Sequence, residues 1–325
     1  MDLKSCKLGV GPMSLEIIDI IRNYDKIDQL MIVASRNQVD FDNGYVCATK
    51  ELAELLKGSH IALCRDHCGP YFSDKDKNLS LRKAVSRCKE TINADIENDF
   101  RLIHIDISRV SNNKYKVAEE LFEFALDLNP GIKFEFGSEE NTGSYFADYD
   151  KKILEEFAFL EQYKNNLEFY VFQTGSLVKH TQVGSFDIDY NKTIAELIHD
   201  RGLRFKEHNA DYLDSEQITK RRIAGVDALN IAPQLGVLQT KLLRALGGNT
   251  TQWALFENLV YSNKQWQRWI SYEVAHDRDI CVDISGHYFF DQPQYFNLVN
   301  AIDYSKYRHL LRKQVTELLD LYLSP

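Results

Sequence analysis

Hydrophobic positions along this chain follow two alternating spacings. Short apolar runs of strand length are each followed by a longer segment in which apolar residues recur every three or four positions, as in an amphipathic helix. The predicted strands cover residues 8–11, 30–34, 60–64, 101–106, 133–136, 168–172, 203–206 and 227–231. The predicted helices that follow them cover residues 14–23, 49–57, 81–91, 117–128, 151–164, 193–201, 215–224 and 234–246.

Eight successive strand–helix units indicate a parallel sheet, and this number predicts a closed (β/α)8 TIM barrel in the α/β class. An open doubly wound sheet is the alternative, but the first strand lacks the glycine-rich GxGxxG turn that anchors a dinucleotide. After residue 247 the pattern changes to aromatic, amphipathic helices that contain Trp253, Trp266 and Trp269. We therefore predict a barrel domain over 1–247 and a helical C-terminal extension over 248–325, packed on the barrel. Its aromatic residues are expected in the core, with a homo-oligomer interface left open.

Composition narrows the functional classes. With 44% hydrophobic and 27% charged residues in 325 positions, the chain is typical of a globular protein. Its formal charge of −9 disfavours nucleic acid and anionic membranes as partners. The chain has neither an 18-residue apolar run nor a signal peptide, so we expect a cytoplasmic protein. The six cysteines are then expected as free thiols.

Metal-capable side chains lie at the carboxyl ends of several predicted strands. His67 follows the third strand, His180 the sixth and His208 the seventh, and Glu135 lies near the end of the fifth. In a (β/α)8 barrel these ends meet at one mouth, so the three imidazoles and the carboxylate could bind a catalytic divalent metal ion, best matched by Zn²⁺. Taken singly, each has a simpler interpretation as a polar residue at a strand end or a helix cap.

Other polar residues also lie at or just after the carboxyl ends of predicted strands. Asp106 ends the fourth strand, Asp211 follows the seventh and Asn230 lies near the end of the eighth, which makes them candidates for substrate binding. Glu139 and Glu140 lie in a loop flanked by glycines and are candidates for a second acid or base. A solvated surface loop is the alternative interpretation of these two glutamates.

Residues 64–70, which read Cys-Arg-Asp-His-Cys-Gly-Pro, resemble the Asp-His motif of class II, zinc-dependent ketose-bisphosphate aldolases. Residues 103–108 resemble the next strand of that family, and residues 134–140 resemble its glutamate strand and mobile loop. Asn230 and Ile231 resemble its last strand. The resemblance implies that Asp66 is a proton donor and His67 a metal ligand.

A closer resemblance is to the tagatose-bisphosphate aldolase Z-type subunits, which are usually called non-catalytic. It spans almost the whole chain and is carried by residues 35–39 with 44–45, 65–70, 173–175 with His180, 207–212 and 287–290. It implies that Asn37, Gln38 and Gln173 belong to the substrate site, and that a catalytic aldolase subunit is a possible partner. Related enzymes epimerise keto-sugar acids with a bound metal.

One departure from the catalytic aldolases concerns phosphate. Those enzymes bind a substrate phosphate with a glycine- and serine-rich loop just past the metal-binding histidine of the seventh strand. Here residues 208–212 read His-Asn-Ala-Asp-Tyr, which lacks glycine and adds a negative charge that would repel phosphate. The substrate is then unphosphorylated, holds its phosphate elsewhere, or does not exist in an accessory subunit.

These observations predict a divalent-metal-dependent, aldolase-like enzyme acting on a ketose, a keto-sugar or its phosphate through a metal-stabilised enediolate. A keto-sugar epimerase of the same superfamily is the first alternative, because it uses the same intermediate. A non-catalytic subunit that stabilises an aldolase is the second, and three intact histidines count against it.

Overall fold

The computed structural model describes residues 3–137, 143–145, 148–270, 274 and 277–324. In this part of the chain eight parallel strands close into a barrel, in which each strand pairs with the next and the last pairs with the first. The strands are β1 Leu8–Val10, β2 Leu30–Ser35, β3 Ala62–Cys68, β4 Leu102–Asp106, β5 Lys133–Gly137, β6 Leu167–Val171, β7 Arg204–Glu207 and β8 Ala228–Ile231. The predicted TIM barrel is confirmed.

Helices follow the strands and surround them. The barrel helices are α1 Leu15–Arg22, α2 Thr49–Leu55, α3 Leu81–Glu97, α4 Lys114–Leu128, α5 Tyr149–Leu160, α6 Ile188–His199, α7 Ser215–Ile223 and α8 Pro233–Gly247. Their starts follow capping chemistry: the Ser14 hydroxyl accepts from the Ile17 N–H, and Asp214 and Gln217 form a reciprocal capping box. Helix α3 runs six residues beyond its predicted end because Ile92 and Asp95 are buried rather than exposed.

The C-terminal extension consists of α9 Thr251–Asn263, α10 Arg278–Ser285, α11 Pro293–Ala301 and α12 Tyr304–Leu323. Helix α12 packs on α1 and α8, and α10 packs on α8. Apolar side chains of α12, such as Leu311 and Val315, belong to the same buried core as Ile17 of α1. The Gln239 amide of α8 donates to the hydroxyls of Tyr295 and Tyr307, so polar contacts also join the extension to the barrel.

In the described part of the chain, none of these helices combines the length and apolar character that a membrane crossing requires.

A separate apolar cluster fills one end of the barrel. Its members are small or apolar residues of the strands and of the N-terminal segment: Leu3, Cys6, Met31, Val33, Ala62, Cys64, Leu102, Phe169 and Ala228. The Lys206 ammonium lies against this cluster, 3.3 Å from the Met31 sulfur and 4.9 Å from the centre of the Phe169 ring. The barrel interior therefore changes from apolar to charged toward the carboxyl ends of its strands.

Candidate metal centre and substrate cavity

A cavity of about 550 Å³ opens at the carboxyl ends of the strands. The extension completes it, because Arg268, Trp269, His287 and Tyr288 line it together with residues of the barrel. The cavity lining includes most of the residues predicted for the site: Asn37, Gln38, Asp66, His67, Asp106, Gln173, His208, Asp211 and Asn230. Glu139 and Glu140 lie outside the described residues.

Four side chains on the cavity floor form a group that could hold a metal ion. Asp66 and His67 of β3, His104 of β4 and His208, directly after β7, each offer a ligand atom, and these atoms all lie within 4.8 Å of one another. The three imidazole rings are 4.8–5.1 Å apart, measured between centroids. Imidazole nitrogen and carboxylate oxygen are the donors of catalytic Zn²⁺ sites and suit other divalent ions of similar softness.

An irregularity in β3 brings two adjacent residues into this group. In a regular strand, neighbouring side chains point to opposite faces, so Asp66 and His67 could not both face the barrel interior. The pairing of β3 with β4 shifts register between Arg65 and Cys68, and His67 adopts a left-handed backbone with φ +47°. This bulge turns both side chains toward the cavity.

Two carboxylates fix the orientation of two of the rings. The Nδ1 of His67 lies 2.6 Å from Asp106 Oδ2, and the Nε2 of His208 lies 2.9 Å from Glu135 Oε1. Because ionised carboxylates only accept hydrogen bonds, each contacting nitrogen carries the proton. The other nitrogen of each ring, His67 Nε2 and His208 Nδ1, then faces the common centre, as in carboxylate–histidine–metal arrangements.

Buried atoms without hydrogen-bond partners mark that centre. Asp66 Oδ1 and His208 Nδ1 lie 3.5 Å apart, and both are buried without a partner. Two lone pairs facing each other at this distance repel unless a proton or a cation lies between them. The donor set of Asp66, His67, His104 and His208 therefore fits a divalent cation.

Charge keeps the carboxylates of the site ionised. Burial favours the neutral form of Asp66, but attraction to His67 and contact with His104 outweigh burial and hold its pKa well below the ordinary value. Burial likewise opposes ionisation of Glu135, yet Lys206, whose Nζ lies 2.5 Å from Glu135 Oε2, lowers its pKa to about 2. The buried lysine thus maintains the carboxylate that orients His208.

The pKa of His67 is raised to about 9, because attraction to Asp66 and the hydrogen bond to Asp106 outweigh the effect of burial. His67 Nε2 therefore holds a proton at neutral pH when no cation is bound. Since metal ligands must be deprotonated, binding of a divalent cation would release this proton.

His104 and Lys206 also belong to the site but are missing from the predicted residues, because both lie within a strand and not at its carboxyl end. His104 lies two residues before Asp106, and Lys206 lies two residues before His208. Residues two apart in a strand share a face. The alternation of side chains along a strand was therefore the signal that could have found both.

His180, in contrast, is not brought to the metal group and does not line the cavity. It lies partly exposed in the turn of a hairpin formed by Ser176–Val178 and Gln182–Gly184, where Lys179 donates to the Thr181 carbonyl. The hairpin follows β6 and carries His180 away from the strand end. Gln173, at the start of this connection, lines the cavity instead.

The predicted substrate-binding residues differ in whether their side chains already form hydrogen bonds within the protein. Asn37 bonds to the backbone of the loop after β3, Gln38 bonds to Ser35, and Asp211 accepts from two N–H groups near the start of α8. Asn230 Oδ1 is buried without a partner, directly above Gly9, where a Cβ would approach it to 2.1 Å. Glycine at position 9 therefore leaves room for this amide at the cavity wall.

His287, a residue of the extension, should make the free energy of unfolding depend on pH. Burial lowers its pKa to about 3, so it stays neutral in the folded chain while the unfolded chain takes up a proton below about pH 6.5. The free energy of unfolding should therefore fall by roughly 2 kcal/mol between pH 8 and pH 5 on account of this residue alone. Denaturant titrations of His287→Gln should show a pH dependence that is weaker by this amount. His309→Gln, at an exposed position of α12, is the control and should keep the pH dependence of the parent chain.

No protein-family model matches this sequence, and no curated protein matches it either. Solved structures do match. A probable tagatose 6 phosphate kinase from Sinorhizobium meliloti 1021 aligns over 98% of this chain and 99% of its own, with a TM-score of 0.78 at 16% identity.

Two further structures extend the comparison. The fructuronate-tagaturonate epimerase UxaE from Cohnella laeviribosi aligns over 98% of this chain and 81% of its own, with a TM-score of 0.59 at 8% identity. The YdjI aldolase from Escherichia coli K12 aligns over 98% and 92%, with a TM-score of 0.54 at 12% identity. The chain therefore shares its fold with these proteins, an aldolase and an epimerase among them, and this is the barrel fold that the sequence resemblance implied.

Proposed function

We propose that this chain is a divalent-metal-dependent enzyme of the aldolase type, acting on a ketose, a keto-sugar or a phosphate of either. One observation carries the proposal: Asp66, His67, His104 and His208 converge on the floor of a cavity, and Asp66 Oδ1 and His208 Nδ1 face each other there without hydrogen-bond donors. The cavity is large enough for a sugar. Zn²⁺ is the ion that best suits a ligand set rich in imidazole.

A cation bound at this group would supply Lewis acidity to the carbonyl of the substrate. The protein's own side chains would orient the histidine rings and transfer the proton. Asp106 and Glu135 hold the rings of His67 and His208 in place, and Lys206 keeps Glu135 ionised. Asp66 is ionised and lies on the cavity floor, so it can accept a proton from a sugar hydroxyl and return it.

The cavity wall also supports recognition of a polyol. Asn230 offers a buried amide oxygen that no protein group satisfies, and a sugar hydroxyl could donate to it. Aldol cleavage and epimerisation through deprotonation both begin beside a carbonyl, so the epimerase of similar fold makes epimerisation the second candidate. The two activities differ in whether a C–C bond breaks.

Metal analysis combined with NMR in heavy water tests the proposal. Purified chain should hold close to one equivalent of a divalent ion, and it should exchange deuterium into the carbon beside the carbonyl of at least one ketose or keto-sugar. Appearance of two shorter products would identify an aldolase, and a single isomeric product an epimerase. Less than about a tenth of an equivalent of ion, with no activity when ions are added, would contradict the proposal and favour the accessory subunit.

Asp66→Asn gives a sharper test of the proton-transfer role. Three imidazoles remain, so the ion should stay bound, whereas turnover should fall by about 10²-fold because an amide cannot take up the proton. Metal content and the rate of deuterium exchange are the two measurements. Asp189→Asn, at an exposed position of α6, is the matched control and should change neither. A rate near that of the parent chain in Asp66→Asn would remove Asp66 from the mechanism.

A further inference from the structure

One histidine of the extension lines the cavity with a ring nitrogen that the protein leaves unpaired. His287 lies in the short helix Gly286–Phe289 and is 1% exposed, and its Nδ1 is buried without a hydrogen-bond partner. Burial alone lowers its pKa, with no contribution from a charged or hydrogen-bonding group of the described chain. Since a buried polar atom without a partner lowers stability, packing alone does not account for a histidine at this position.

A glycine of α8 makes room for this ring. A Cβ at position 236 would lie 2.7 Å from His287 Cβ and 2.9 Å from its Cγ and Nδ1, closer than side chains pack. Gly236 lies within α8, where glycine lowers helix stability relative to alanine. We call the space over Gly236 the glycine notch. A less stable helix is thus retained at the point where His287 packs on it.

The glycine notch and two tyrosines fix the orientation of the imidazole. The Tyr288 ring lies 4.1 Å and the Tyr45 ring 5.8 Å from the His287 ring, measured between centroids. The Trp269 N–H holds Tyr288 in turn, because it donates to the tyrosine hydroxyl at 3.0 Å. Since Cγ and Nδ1 of His287 face Gly236, Nε2 lies on the opposite edge of the ring, away from α8.

We propose that His287 is a specificity-determining residue, which forms a hydrogen bond through Nε2 with a hydroxyl group of the bound sugar. This inference rests on the proposed function, because the hydroxyl belongs to the sugar that the metal group would bind. In a neutral imidazole one nitrogen donates and the other accepts. A hydroxyl does both, so it can pair with Nε2 in either tautomer, whereas a carboxylate only accepts and an ammonium only donates.

The contacts of His287 place it on the side of the cavity where β8 and β2 end. Helix α8 follows β8, and Tyr45 lies in the connection after β2. The metal group comes from β3, β4 and the end of β7 instead. A sugar whose carbonyl lies at the metal group can therefore present a hydroxyl of another carbon to His287. The residue then distinguishes sugars by the position and configuration of that hydroxyl.

Nitrogen NMR of the histidine side chains tests the contact directly. The full chain, with isotope-labelled histidine, is titrated with D-psicose, D-fructose, D-sorbose and D-tagatose, which differ only in the configuration of the hydroxyls at C3 and C4. Loss of signals in His287→Phe identifies the ring nitrogens of His287. We expect at least one of these ketoses to shift the Nε2 signal, and the ketoses to differ in the concentration that is needed. Ring signals of His287 that respond to none of them would overturn the proposal.

Variants at position 287 separate a contact with the sugar from a structural role. His287→Phe keeps a ring beside the tyrosines but cannot form the hydrogen bond, so it should weaken binding of the preferred ketose by roughly tenfold. Signals of the other cavity histidines report this binding. The unfolding temperature at pH 8 should stay the same or rise, because a buried atom without a partner is removed. His287→Gln, which can donate and accept, should recover part of the affinity.

The matched control is His309→Phe, at an exposed position of α12 outside the cavity, and it should change neither affinity nor unfolding temperature. Unchanged affinity together with a lower unfolding temperature in His287→Phe would show a purely structural role and refute the proposal.

Gly236→Ala tests the glycine notch without altering the histidine. Its Cβ would displace the His287 ring, so affinity for the preferred ketose should fall although Gly236 does not line the cavity. Affinity equal to that of the parent chain would contradict the positioning of His287 by the glycine notch.

Metal content and turnover, measured in the same variants, separate this inference from the proposed function. His287→Phe should keep the ion content of the parent chain, because His287 does not belong to the metal group. A response of the His287 signals to a ketose in a chain that binds no ion and has no activity would contradict the proposed function and support the contact. Metal binding and activity in a chain whose His287 signals respond to no ketose would overturn this inference alone.

Discussion

Alanine at position 67 or 208 is expected to abolish binding of a divalent cation and to lower turnover by on the order of 10³-fold or more, the scale of a lost Lewis acid. Each of these rings presents one nitrogen to the common centre and is held by a carboxylate on its other nitrogen. Truncation therefore removes a preorganised donor. The fold should survive, because residues at the carboxyl end of a barrel serve function rather than stability.

Metal content by mass spectrometry and thermal unfolding of each variant measure the two parts of this prediction. His104→Ala should also weaken metal binding, whereas His180→Ala should leave it unchanged, because His180 lies in a hairpin turn away from the group. The reverse result, with metal lost in His180→Ala and kept in His104→Ala, would show that the ligand set is the one predicted from strand ends.

The second large effect concerns the buried pair of Arg65 and Asp95. Arg65 donates from Nε and Nη2 to the two oxygens of Asp95 at 2.7 Å and 2.6 Å, and from Nη1 to the carbonyls of Ala34 and Val39. Both side chains are fully buried. Arg65→Met should lower the free energy of unfolding by about 3–5 kcal/mol, because it leaves a buried carboxyl group and two carbonyls without donors.

Urea titration monitored by circular dichroism measures this loss. The double variant Arg65→Met with Asp95→Leu should recover much of it, since replacing both partners of a buried pair by apolar residues is often close to neutral. Arg101→Met provides the exposed comparison, because Arg101 is 62% exposed in its pair with Asp99 and should cost less than about 1 kcal/mol. A single Arg65→Met variant as stable as the parent chain would contradict the argument.

The barrel could be predicted because its strands are buried apolar runs, and such runs are visible in a sequence. Seven of the eight strands end within one or two residues of their predicted ends. The exception is β3, which continues four residues beyond position 64 through Arg65, Asp66 and His67. These polar residues resemble a loop, and the sequence contains nothing that shows Arg65 to be paired with an aspartate on α3.

Only those site residues that lie at the carboxyl ends of the predicted strands could be predicted from the sequence. Asp66, His67, Asp106 and His208 meet at the cavity as the barrel geometry requires. The bulge in β3 and the hairpin after β6 are local irregularities that no periodic pattern reports, and they decide which residues reach the centre. His104 joins the group and His180 does not for this reason.

The division of the cavity between barrel and extension has a consequence for how selectivity could be altered. The group proposed to carry out the reaction comes from β3, β4 and the end of β7, whereas Arg268, Trp269, His287 and Tyr288 form a roof encoded after residue 263. The metal group and the roof thus come from separate stretches of sequence, although barrel residues such as Asn230 also line the wall between them. Grafting a different roof onto the same floor would be a direct route to new specificities.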